Sequence, residues 1–81
     1  MNPSLPPLDL DVRPLVLRQR PPLPAILDAV ARLGRGQALR LRVPFEPTPF
    51  YALLKQHGFQ AEPRDCGDGS WEVTFTPAPP V

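Results

Sequence analysis

The chain has 81 residues, with nine basic and eight acidic side chains and a formal net charge of +1 at pH 7. That length specifies one domain, and a charge so near neutral argues against a general nucleic-acid binder. The single cysteine excludes an internal disulfide, and no apolar run approaches the roughly 20 residues of a membrane span, so a cytoplasmic protein is expected.

Residues 1–7 are expected to be a flexible tail, without the basic start and apolar stretch of a signal peptide. Leu8-Asp-Leu-Asp-Val12 alternates apolar and acidic side chains, the pattern of a half-buried strand. Arg13 to Arg20 is read as an arginine-bearing loop feeding the first helix. That helix is predicted from about Pro22 to Leu33. Leu23, Ile26, Leu27, Val30 and Leu33 recur at helical spacing, prolines occupy the front where an N–H has no partner, and Gly34 follows as a cap. Asp28 and Arg32 are four apart and can pair on its solvent side.

Gln37 to Val43 alternates again, with Leu39, Leu41 and Val43 inward and Arg40 and Arg42 outward. The run Pro44-Phe-Glu-Pro-Thr-Pro49 breaks this strand and opens a second helix, whose inner stripe is read as Phe50, Leu53, Leu54 and His57. Gly58 ends it. Phe59 to Arg64 is a third strand, placed at a sheet edge because Pro63 cannot donate to a ladder. A turn rich in aspartate and glycine leads to a fourth strand, Ser70 to Thr76, with Trp71, Val73 and Phe75 inward. Residues 77–81 form a second tail, leaving one domain over residues 8–76.

The order βαβαββ, right-handed crossovers and an edge position for the third strand predict an α+β two-layer sandwich. Its four-stranded mixed sheet has the order 1-2-4-3, with both helices on one face. The outward Asp9, Asp11, Arg40, Arg42 and Glu72 then form opposite-charge rows on the other face. A weak homodimer across that face is the alternative to a monomer.

Ligands of open α/β sheets favour the crevice beyond the C-terminal ends of parallel strands. That rim gathers Arg13, Arg18, Arg20, Pro22 and the start of the first helix, then Glu46, Thr48 and the start of the second. Two helix starts with full positive charge beside them suit a small anion or an acidic protein partner. The bland alternative pairs these arginines with Asp65, Asp68 and Glu46. Cys66 falls at the same rim; arginines favour a reactive thiolate there, whereas Asp65 and Asp68 oppose it. His57 is the lone histidine and is read as a packing or capping residue. No resident metal or cofactor is expected, and an enzymatic role is not the leading reading.

The run Leu10-Asp-Val-Arg-Pro-Leu15, Pro21-Pro-Leu-Pro24 opening a helix, Gly36-Gln-Ala-Leu39 entering a strand and Gly58-Phe59 ending a helix resembles the small TusA/SirA-like sulfur carriers. The likeness is greatest to a branch of unknown function and covers about Leu8 to Phe75. It implies a βαβαββ two-layer sandwich. In those carriers a Cys-Pro-x-Pro motif holds a persulfide at the first helix. Here Pro21 stands at the cysteine's place, so the resemblance implies the fold and site location without the sulfur chemistry. A sulfur-transfer or redox role would have to use Cys66 instead.

Overall fold

Alternation along the strands decides the architecture, because the two central strands bury alternate side chains. The computed structural model describes residues 5–78, so most of the two expected tails, residues 1–4 and 79–81, lies outside the described residues. The elements are β1 (Leu8–Asp11), α1 (Arg13–Leu17), α2 (Leu23–Arg32), β2 (Leu39–Val43), α3 (Thr48–Gln56), β3 (Phe59–Asp65) and β4 (Trp71–Pro77). The sheet order is β1-β2-β4-β3. β1 runs parallel to β2, and β4 is antiparallel to both β2 and β3. The fold is therefore the α+β arrangement expected from the sequence, with β1, β2 and β3 all pointing to one rim.

Leu39, Leu41 and Val43 of β2 and Val73 and Phe75 of β4 are fully buried. They share one cluster with Ile26 of α2 and Leu54 of α3, so both longer helices cover the same face. The opposite face carries the charges. Arg40 bonds Asp9 on β1 at 2.6 Å, and Glu72 accepts from both Arg42 and Arg64 at 3.1 Å. Glu72 thus ties β2, β4 and β3 together across the uncovered side.

Three local expectations are corrected. Residues 13–17 form a short helix, not a loop: Pro14 suits its first turn, and Leu15 turns inward onto the core. The buried line of α2 is centred on Ile26 and Ala29, while Leu27 is 37% exposed. The spacing of Leu23, Ile26, Leu27, Val30 and Leu33 describes a face wider than the sheet beneath can cover. His57 is the exposed C-cap of α3, so it is not part of the inner stripe; its N–H donates to the Leu54 carbonyl at 3.0 Å.

The turn after α1 has the Schellman pattern. Arg20 N–H reaches back to Leu15 O at 2.8 Å and Gln19 N–H to Val16 O at 2.9 Å. The left-handed position, usually a glycine, is held by Gln19 at φ 58°. A side chain is strained there. Gln19→Gly is therefore expected to stabilise the domain by about 0.5–1 kcal/mol after the unfolded chain's added freedom is counted. A urea titration showing a lower midpoint for the variant would remove this reading of the turn.

Pro63 also has a clear place. Gly58 O accepts from Ala78 N–H at 2.8 Å, and Cys66 N–H donates to Ser70 O at 3.0 Å. Alternation between these two contacts turns the backbone of Gln60, Glu62 and Arg64 toward β4. Phe59, Ala61, Pro63 and Asp65 then face the free edge, where the N–H that proline lacks breaks no ladder bond. At the far end of the sheet, Gln37 donates to Pro6 O at 2.8 Å and accepts from Gly34 N–H at 2.9 Å, tying residues 5–7 to the α2–β2 turn.

Candidate functional site

Two places on the molecule gather polar chemistry: the rim at the strand C-termini and the uncovered sheet face. The directions of β1 and β2 bring the starts of α2 and α3 to the same rim, since each helix begins where its strand ends. Neither start has a side-chain cap. Pro22 is the N-cap of α2 and Pro47 that of α3, and prolines fill the first turns. Thr48 is exposed, and its own N–H is already bonded to Glu46 O at 3.0 Å.

The arginines divide into two groups. Among the described residues five form ion pairs: Arg13 with Asp11, Arg32 with Asp28, Arg40 with Asp9, and Arg42 and Arg64 with Glu72. Arg18, Arg20 and Arg35 form none. Arg35 stands in the α2–β2 turn at the opposite end, whereas Arg18 and Arg20 flank the strained Gln19 at the rim. Their bonding groups therefore remain open to solvent or to a ligand.

Arg13 belongs to the first group. Its Nε and Nη2 grip both oxygens of Asp11, at 2.9 and 2.7 Å, and its backbone N–H adds a third bond to the same carboxylate at 3.0 Å. The guanidinium holds the Asp11 carboxyl below its usual pKa against the opposing effect of desolvation. Arg13 therefore looks across the uncovered face, away from Arg18 and Arg20. It overhangs a concavity of about 350 Å³ bounded by Asp9, Asp11, Arg40, Arg42 and Glu72. Charges of both signs balance within that concavity, so it has no net attraction for a simple anion.

The expected pairings with Asp65, Asp68 and Glu46 are not the ones formed. Asp65 accepts Gly67 N–H at 2.9 Å, and Asp68 accepts both the N–H and the hydroxyl of Ser70 at 3.0 and 2.5 Å. The Ser70 bonds lower the Asp68 pKa. These carboxylates shape the β3–β4 hairpin. Glu46 lies near Tyr51, whose buried hydroxyl makes no well-formed hydrogen bond among the described residues; burial first and the Glu46 charge second raise the tyrosine's pKa. Cys66 is half-buried in the hairpin and within electrostatic reach of Arg13 and Arg64.

One rim residue was missing from the sequence expectations. Leu17, next to Arg18, is 78% exposed, the most open of the large apolar side chains described. Phe45, in the link after β2, is 40% exposed at the same rim. A leucine beside arginines is a legible signal, but a loop over residues 13–20 gives it no helical phase to depart from. Among the described residues no group of three His, Cys, Asp or Glu side chains converges as a metal site, and no helix is long and apolar enough to cross a membrane.

The profile of a family described as an uncharacterized conserved protein (DUF2249) matches residues 9–77 of the chain. No curated protein and no solved structure matches it.

Proposed function

The chain belongs to the DUF2249 family of uncharacterized conserved proteins, and from that premise we propose a small non-enzymatic binding module that engages an acidic protein partner or a small anion at its rim. The observation that carries this reading is the division of the arginines. Among the described residues, Arg18 and Arg20 are the rim arginines that pair with no carboxylate, and they stand beside an exposed leucine and the uncapped start of α2. Unpaired arginines keep their planar donor sets available for carboxylate or phosphate oxygens. The peptide dipoles of α2 add positive potential at the same place.

At the level of fold, the 1-2-4-3 sheet with both longer helices on one face is compatible with the resemblance to the TusA/SirA-like carriers. Their chemistry does not follow, because Pro21 takes the place of the sulfur-bearing cysteine. A thiol route would fall to Cys66, which the hairpin holds in a polar turn beside the Arg13–Asp11 pair. The rim reading uses groups that are free; the thiol reading needs Arg13 and Arg64, which are already engaged.

Titration with pyrophosphate and with a polyglutamate peptide, followed by amide NMR, tests the proposal. Shifts confined to residues 18–25 are expected, with an Arg18→Glu, Arg20→Glu double variant weakening the response at least about tenfold, the scale of one lost charged anchor. Unchanged spectra over residues 18–25 with both probes would end it.

A further inference from the structure

A second surface lies at the other side of the molecule, built from α3 and the outer strand. Tyr51, Ala52 and Lys55 of α3, Phe59 and Ala61 of β3, and Ala78 line a groove of about 410 Å³. Small residues on the helix and on the strand leave the space, and the aromatic rings make its walls. Lys55 is the one charged group lining it, and it forms no ion pair among the described residues. The groove borders the start of β3, where the backbone N–H and C=O groups of Phe59 and Ala61 face the free edge. Beyond them Pro63 removes the next donor. The accessible edge is therefore short and lies directly beside an apolar slot with a cation at its border.

We propose that this groove docks an extended segment of a partner protein, pairing with Phe59–Ala61 and placing an apolar side chain in the slot with an acidic neighbour against Lys55. Backbone pairing supplies attraction for any extended chain, and the slot and the lysine select the sequence. Edge length favours a partner segment over a second copy of this chain. Two copies meeting edge to edge would pair over only the four residues before Pro63, Phe59 to Glu62, far too little shared surface for a stable dimer. The slot is separate from the rim, so the inference stands apart from the binding role proposed above.

A phage-displayed library of random seven-residue peptides, selected on the full chain, provides the test. Enriched peptides are expected to carry an apolar residue next to an acidic one, and to shift the amides of Phe59 and Ala61. Ala52 is exposed, so Ala52→Trp fills the slot while circular dichroism confirms an intact fold. It should weaken the selected peptides at least about tenfold, as loss of a buried anchor does. Selection on Lys55→Glu should exchange the acidic neighbour for a basic one. The inference is overturned by any of four results. These are failure to enrich, binding indifferent to Ala52→Trp, shifts at residues 18–25 in place of β3, or sedimentation showing a dimer joined through β3. The third of these would leave the rim reading standing, and unchanged spectra with pyrophosphate and polyglutamate would leave the groove standing.

Discussion

Phe75→Ala is expected to cost about 3–5 kcal/mol, the range for truncating a fully buried aromatic side chain. Phe75 has no exposed surface and stands between Leu39 on β2 and Ala61 on β3. Its ring is the largest fully buried side chain, so the neighbours that would collapse into the vacancy are strand residues fixed by ladder bonds. A domain of this size has roughly 4–12 kcal/mol of total stability. The variant should therefore lose a large share of it and show a much earlier urea midpoint, with little or no folded baseline at 37 °C. Leu17→Ala and Phe45→Ala, both at exposed apolar positions, should stay within about 0.5 kcal/mol of the parent. A Phe75→Ala protein as stable as those two would mean that the two layers do not meet where the cluster places them.

Glu72→Arg is expected to lower stability by about 1–2 kcal/mol, because cross-strand charge pairs carry a few tenths to one each and reversal changes attraction into repulsion. The native carboxylate accepts from Arg42 on one side and Arg64 on the other. Reversal would leave three guanidiniums in adjoining strands. The gap between variant and parent should narrow in ~1 M salt, where screening acts within about 3 Å. The pH dependence has a definite sign. Hydrogen bonding to Arg64, then to Arg42, holds the Glu72 carboxyl below its ordinary pKa, against desolvation. A depressed folded-state pKa means that the stabilisation is present above the unfolded value, near 4.3, and is lost as pH falls through the folded value. Asp9, Asp11 and Asp68 are shifted in the same direction, by Arg40, Arg13 and Ser70 respectively. Thermal melts of the parent should accordingly decline on acidification below about pH 4, and less steeply for Glu72→Gln. A parent protein whose midpoint is flat down to pH 2 would contradict the ion-pair rows.

The strands and their order were legible because period-two alternation and one proline determine them. Leu39, Leu41 and Val43 alternate with Arg40 and Arg42, and all three apolar residues are buried. Pro63 implied an edge, and an edge position for β3 leaves the centre to β4. The short α1 was not legible. Its closing bond depends on a left-handed backbone at Gln19, a conformation that residue type does not advertise. Chain position alone puts Arg13 at the rim. Its side chain instead turns to Asp11, two residues earlier, a local pairing that sequence spacing permits but does not demand. The groove beside β3 was also missed, since Ala52 and Ala61 attract no notice until the fold sets them side by side.

The clamp that Gln37 places on Pro6 has a consequence for how this unit could be tethered. It delivers the incoming chain to the start of β1, and β4 carries the outgoing chain back to the same end, where Ala78 bonds Gly58. Both connections are thus on the side remote from the rim. A fused domain or linker at either end would leave Arg18 and Arg20 unobstructed, while one attached after Ala78 would begin at the mouth of the α3–β3 groove and be presented to it at high local concentration.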